Sequence, residues 1–301
     1  MAISPTVRGK VLAKRLLELR KDSGYTQADV AKGLDWRQSK VSRIEAREQS
    51  VSVTDAHALA SFYGVAAEER DLLVMLARDS KKKGWWQSYG DLIPEWFDTF
   101  VGMEAEASSV VTYESDFVPG LLQTESYARA TTRATFLEAT PEEVERSVDL
   151  RMQRQKRLFA PEPLRLWAVM SETTLRRPVG GESVLREQID HILELTEQPN
   201  IVVQVMPFTA GGHPALGPFV LLGYAEEWHP DVVYLETQAG AQWVEEPQQV
   251  GRFRTVIEHL RAHALDPGDS VHAMRSRAGE LDGSVRQLEE VKPKRRAGKL
   301  R

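Results

Sequence analysis

The chain has 301 residues, a formal net charge of −5 and no cysteine. That length allows about two domains, and the missing cysteines exclude disulfides, thiol catalysis and cysteine-based metal sites. No run of about 18 apolar residues occurs, which excludes a membrane-spanning helix, and the opening Met1–Lys10 lacks the apolar core of a signal peptide, so the expected compartment is the cytoplasm with no membrane partner.

The charge is unevenly spread. Residues 1–83 hold 16 Lys and Arg against 11 Asp and Glu, residues 292–301 hold six Lys and Arg and no acid, and the stretch between them therefore carries −16. A basic amino-terminal module on an acidic body suits DNA binding at one end only, although a solvated acidic surface is enough to explain the body by itself.

In chain order, residues 8–22 predict a helix with Leu12, Leu16 and Leu19 as its apolar stripe and Gly24 as its stop. Residues 26–45, TQADVAKGLDWRQSKVSRIE, predict two short helices. Val30 and Leu34 share one face of the first, Val41 and Ile44 share one face of the second, and Trp36 lies between them. Thr26 suits the N-cap of the first helix. On the second, Gln38 with Ser42 and Ser39 with Arg43 are spaced to point outward together. Such residues suit base reading: Gln can pair bidentately with adenine, Arg with guanine, and Ser with either. In a helix-turn-helix the first residues of the second helix reach base edges, which favours Gln38 and Ser39, then Ser42 and Arg43. Gln27 is placed to meet phosphate or to brace Gln38. Lys40 and Arg47 are assigned to phosphates, which position without specifying, and Arg37 completes the expected DNA-facing set with Thr26. A plain helical hairpin with a solvated polar face would show the same hydrophobic spacing.

Two further helices are expected at Thr54–Tyr63, closed by Gly64, and at Glu68–Arg78. Ser80–Gly84, with three lysines, predicts a linker. Residues 85–113 predict two helices, the first rich in aromatics (Trp85, Trp86, Trp96, Phe97, Phe100) and the second beginning near Glu104, with a core role favoured over docking. The Pro119-Gly120 pair marks a turn, Thr124 caps a helix from Glu125 to about Arg133, and Pro141 opens a long helix to about Phe159, rich in Arg and Gln. The period then changes. Strands are expected at Leu164–Met170, Ile201–Met206, Phe219–Tyr224, Val232–Glu236 and Gln242–Glu245, and helices at Ser183–Glu197, Gln248–His263 and Pro267–Met274. The expected architecture is multidomain: an all-α five-helix module at 1–79, a linker at 80–84, an α+β (α/β) domain at 85–278, and a disordered basic tail at 279–301. The tail could add nonspecific DNA affinity or be idle.

Two resemblances follow from these residues. The segment 26–45, with TQ opening its first helix and QSKVSRIE forming its second, resembles the helix-turn-helix of the Xre and lambda-repressor family. One departure is Asp35, where that family usually has Gly in the turn; Asp tolerates a left-handed conformation better than most residues. The stretches FVPGLLQTESYARA, RMQRQKRL, SETTLRRPVGG, REQIDHILEL, NIVVQVMPFTAGGHPALGPFVLLGY, DVVYLE and ALDPGDS resemble the domain of unknown function found in actinobacterial WhiJ-like regulators. That resemblance implies a transcriptional regulator, often paired in an antitoxin-like arrangement with a small acidic partner protein encoded nearby, and it supplies no ligand.

The function expected is sequence-specific binding of operator DNA as a homodimer, with the carboxy-terminal domain dimerising and sensing a partner protein or small ligand. The alternative is an α/β enzyme or nucleotide-binding module localised by the helix-turn-helix. Its best residues are Glu172, Arg176 and Arg177 and the Gly211-Gly212-His213-Pro214 loop. Glu172 and Arg176 are spaced as an ordinary helix pair, and neither stretch fits a phosphate or dinucleotide fingerprint. No catalysis, cofactor or metal is therefore expected.

Overall fold

In the computed structural model, which describes residues 7–80, 84–225 and 230–291, the chain divides into two units, Met1–Glu106 and Ala107–Arg301. Lys81 to Lys83 of the expected linker and the basic residues 292–301 lie outside the described residues.

The first unit is helical: α1 (Val7–Asp22), α2 (Gln27–Gly33), α3 (Gln38–Glu45), α4 (Val53–Tyr63) and α5 (Ala67–Asp79), then a 3-10 turn (Trp85–Tyr89) and α6 (Glu95–Glu106). Each helix supplies its apolar stripe to one core. Leu12 and Leu16, Val30 and Ala31, Val41 and Ile44, Leu59 and Ala60, and Leu73 and Leu76 are all buried. Thr26 and Ser52 cap α2 and α4 in capping boxes closed by Asp29 and Asp55. The division of the chain falls later than the linker expected at 80–84. Arg8 of α1 binds Glu106 at 3.2 Å and Asp79 at 2.7 Å, which joins α6 to the first helices. The aromatic stretch serves as core only in part: Trp86 and Phe100 are buried, Trp96 and Phe97 are half-buried and Trp85 is exposed, and the Trp86 ring fills the space beside Gly84 and Gly102, where a Cβ would come within 2.3 Å and 2.9 Å of it.

The second unit holds a six-stranded sheet in the order β3-β2-β1-β4-β5-β6. Its strands are β1 (Ser109–Glu114), β2 (Arg165–Ser171), β3 (Ile201–Met206), β4 (Phe219–Gly223), β5 (Val232–Thr237) and β6 (Gly240–Val244). β1, β2 and β3 run parallel, whereas β4, β5 and β6 form an antiparallel meander against β1. Parallel neighbours need long crossovers. These are α7 (Glu125–Thr135) with α8 (Pro141–Gln155), and the short α9 (Thr173–Arg176) with α10 (Glu182–Leu195). The helices α11 (Pro247–His263) and α12 (Pro267–Val291) follow the meander. One face of the sheet buries Tyr113, Val169, Phe219, Leu221 and Val233 against Val250, Ile257 and Leu260 of α11.

Two of the stretches that carry the second resemblance form structural joints. Gln188 of α10 donates to Leu122 O at 2.6 Å and accepts from Thr124 N at 2.8 Å, and Gln155 of α8 donates to Gln123 O at 2.7 Å. These two amides, Gln188 buried and Gln155 half-buried, satisfy the backbone of the FVPGLLQT loop, which its turn leaves without ladder partners. Gln204 of β3 accepts from Trp167 Nε1 at 2.8 Å and donates to Leu265 O at 2.9 Å, while Val205 N donates to Ser270 Oγ at 2.9 Å. ALDPGDS thereby covers the outer edge of β3, which would otherwise present unpaired amides.

Two expectations are corrected. No second helix begins near Glu104: α6 ends at Glu106 and residues 109–114 are β1, the central strand of the sheet. The chain is also not disordered from 279, because α12 continues to Val291 with Ala278 and Leu281 buried below Met274.

Candidate nucleic-acid interface

The α2–α3 pair is built around a tight turn. The helix α2 ends with Asp35 in the left-handed region at φ 55°. Trp36 N donates to Ala31 O at 2.8 Å and Asp35 N to Lys32 O at 3.5 Å, the paired bonds of a Schellman ending. The helix α3 ends in the same way, with Arg47 at φ 65°, Glu48 N on Arg43 O at 2.8 Å and Arg47 N on Ile44 O at 3.1 Å. The corresponding residue after α1 is Gly24 and after α4 is Gly64, both with positive φ. Asp35 therefore takes the conformation expected of it, and Arg47 takes the same conformation without any signal in the sequence.

On α3, Val41 and Ile44 are buried while Gln38, Ser39, Ser42 and Arg43 are exposed. Arg37 precedes the helix as its N-cap, also exposed, and makes no side-chain cap bond. Arg43 Nε donates to Ser39 O at 3.3 Å along the helix. The four outward side chains thus form one polar strip, as their spacing predicts.

Three of the other assignments find partners inside the protein. Thr26 caps α2, accepting from Asp29 N at 3.2 Å and donating to Asp29 Oδ2 at 2.6 Å. Gln27 donates to Glu45 Oε2 at 2.8 Å, so the bracing partner is Glu45 and not Gln38. Lys40 binds Asp55 Oδ1 at 2.6 Å and lies 3.7 Å from the centre of the Trp36 ring. Burial works to raise the Asp55 carboxyl, but the bonds from Lys40 and Ser52 outweigh it and hold the group below its ordinary value. Lys40 is accordingly a strut between α3 and α4.

Glu45 is the residue that sequence reading missed. It takes a bidentate pair from Arg20, Nε to Oε1 at 2.6 Å and Nη2 to Oε2 at 2.9 Å, besides the Gln27 amide. Arg20 also donates to Tyr25 O at 2.8 Å. One carboxylate at the end of α3 therefore ties α1, α2 and α3 together. The pair is largely withdrawn from solvent, with side-chain exposures of 13% and 6%. Beside it, burial and then the Glu45 charge push the Tyr63 phenol up to about 12. The only sequence signal was an acid closing an otherwise polar helix, with its partner 25 residues away.

Residues 11–73 match the family model described as a helix-turn-helix domain. Residues 97–276, more than half of the chain, match the model described as Domain of unknown function (DUF5753). The chain belongs to that family. No curated protein and no solved structure matched in the corresponding searches. A helix-turn-helix followed by this domain is the organisation of a DNA-binding transcription regulator. Among the described residues no helix is long and apolar enough to cross a membrane.

Glu172, Arg176, Arg177 and His213 all find partners within the protein. Glu172 accepts from Arg176 at 3.0 Å and from Phe208 N at 3.1 Å, Arg177 binds Asp116 at 2.9 Å, and His213 meets the Tyr113 hydroxyl at 2.9 Å. A cavity of about 200 Å³ adjoins Glu172, Arg176, Arg277 and Glu280, whose charges are paired among themselves.

Proposed function

We propose that the chain is a sequence-specific transcriptional regulator that reads operator DNA with α3. In this reading Gln38, Ser39, Ser42 and Arg43 meet base edges in the major groove, and Arg37 and Arg47 flank the helix against phosphates. Thr26, Gln27 and Lys40 contribute by holding the helices that present those readers. The observation that carries the proposal is the exposed polar strip of α3, backed by buried Val41 and Ile44 and clamped through Glu45. A base-reading helix must hold its side chains in fixed register, and the clamp supplies that rigidity.

The protein acts as a homodimer on paired half-sites, in the cytoplasm and by binding rather than by catalysis. The second unit dimerises and receives a signal, from a small acidic partner protein or from a small ligand, that shifts the dimer between DNA-competent and DNA-incompetent states. An Xre-type, antitoxin-like arrangement fits this division of labour.

Footprinting on the chain's own promoter region, with and without the product of the neighbouring small gene, tests the reading. A protected two-fold symmetric site supports it; the absence of any protected site overturns it. Gln38→Ala and Arg43→Ala should each weaken operator binding by about 1–3 kcal/mol and relax the requirement at one base position. Parental affinity in both variants would show that α3 is not the reader.

A further inference from the structure

The last turn of α11 carries two histidines, His259 and His263. Residues four apart on a helix share one face, with Cβ atoms about 5–6 Å apart. The two rings follow that geometry: they stack with centres 6.2 Å apart and planes 29° from parallel. Both side chains are exposed, and neither joins the core that Val250, Ile257 and Leu260 of the same helix form with the sheet. Packing therefore gives no reason for a histidine at either position.

Three features suit the pair to a metal ion. The first is the tautomer of His263, whose Nδ1 lies 2.7 Å from His259 O. A carbonyl oxygen can only accept, so Nδ1 holds the proton and Nε2 of the neutral ring keeps a lone pair. Metal-ligating histidines are commonly oriented in this way, with the second ring nitrogen bonded to a carbonyl. The second is reach. Zinc–nitrogen bonds of about 2.0–2.1 Å at a tetrahedral angle need the two nitrogens about 3.3 Å apart. Histidines at this helical spacing meet that need on zinc, and exposed side chains turn freely enough to close on an ion. The third is charge. The pair sits at the carboxyl end of a 17-residue helix, where the peptide dipoles favour a cation. The nearest cation along the helix, Arg261, is drawn aside to Glu258 at 3.4 Å and to the Trp167 ring at 3.8 Å.

We propose that His259 and His263 bind one divalent transition-metal ion of the zinc class through their imidazole nitrogens. Imidazole ligands favour zinc, copper and nickel over magnesium and calcium. Among the described residues no cluster of three or more His, Asp or Glu forms a metal site, so water fills the remaining positions. Such a site is open and exchangeable, unlike the closed four-ligand sites of structural zinc. The spacing carries this meaning only on an unbroken helix, which is why no metal is expected from the sequence alone. The bound ion staples the end of α11 just before Leu265, whose N–H donates to Val205 O at 2.9 Å where the cover of β3 begins. The site gives a ligand class to the signal-receiving role proposed above, and only that consequence rests on the regulator reading.

Isothermal titration of the untagged full chain with zinc chloride, in a non-coordinating buffer and without DNA, tests the site. One zinc per chain should bind with Kd below about 100 µM. His259→Ala and His263→Ala, both at exposed positions, should each weaken that binding at least tenfold. Zinc should also shift the nitrogen-15 resonance of His263 Nε2 while Nδ1 stays protonated, which diffuse attraction of the ion to the surface would not produce. No saturable binding up to about 1 mM zinc, or parental binding in the double variant, overturns the proposal. A gel-shift assay on the operator without zinc separates the two readings. DNA binding without zinc binding sinks the metal site alone; zinc binding without DNA binding sinks the regulator reading alone.

Discussion

Asp35 and Arg47 do a job that glycine does after α1 and α4. Each holds a positive φ, 55° and 65°, so that the two carbonyls at the end of its helix are satisfied. An L residue in that conformation is strained, by up to about 1–2 kcal/mol and less for Asp. Asp35→Gly should therefore raise the stability of the helical unit by about 0.5–1 kcal/mol, seen as a higher urea midpoint with an unchanged slope. A lower midpoint would mean that the Asp35 side chain supports the turn in a way its exposed position does not suggest. Glu114 gives a test with the opposite sign. Its folded-state carboxyl lies at about 8, above the ordinary glutamate value, so between these values the folded state holds more protons than the unfolded. The stability of the second unit should fall as pH rises from about 5 to 8, and Glu114→Gln should flatten that part of the profile of apparent Tm. A profile unchanged by the substitution would mean that the Glu114 carboxyl is not raised. The roles of Gln27 and Lys40 were illegible in sequence for a definite reason. Their partners Glu45 and Asp55 lie 18 and 15 residues away and belong to other helices, whereas a lone sequence displays only the neighbours along one helix.

At the scale of elements, burial pattern was the readable signal and tertiary pairing the unreadable one. The α2–α3 pair was legible because Val30 with Leu34, and Val41 with Ile44, keep helical spacing while the facing residues are polar; Val30, Val41 and Ile44 are buried and the polar residues exposed, with Leu34 half-buried. The strand β1 was missed because its six residues follow an aromatic helix without a strong breaker, and a short apolar run fits either period. The far half of α12 was missed although Met274, Ala278 and Leu281 keep helical spacing, since the charged residues around them look like a tail. The joint of α1, α2 and α3 is the element-scale device with the sharpest consequence. Removing one partner of a largely buried ion pair leaves the other charge unsatisfied. Glu45→Ala should destabilise the helical unit by about 2–4 kcal/mol, and adding Arg20→Ala should recover part of that loss. Denaturation of the two single variants and the double variant measures the coupling. Simple additivity would mean that the pair is a surface ornament and that the orientation of α3 is set by the apolar core alone.

At the scale of the whole molecule, charge and fold divide at different places: the five acids of residues 84–106 offset the +5 of residues 1–83, so the unit ending at Glu106 is neutral as a whole while its DNA-facing part is basic. The residues that could face DNA lie in a basic segment with its own core, and the acidic excess lies largely beyond it. A fragment ending at Glu106 should then fold, because Arg8 retains both Asp79 and Glu106 and Trp86 retains its seat beside Gly102. A cut in the expected linker at 80–84 would instead strip α6 from α1. The fragment ending at Glu106 keeps every reader on α3 but loses the unit proposed to dimerise. It should bind a single half-site with little change and the full operator far more weakly, since linking two modules makes the second contact intramolecular and gains about 10²–10⁴-fold in avidity. Gel-shift titrations of both proteins on full and half operators, with stoichiometry from analytical ultracentrifugation, read this directly. If the fragment matches the full chain on the intact operator at the same stoichiometry, dimerisation does not reside in the second unit, and the DUF5753 domain must act on the DNA-bound module by some means other than pairing it.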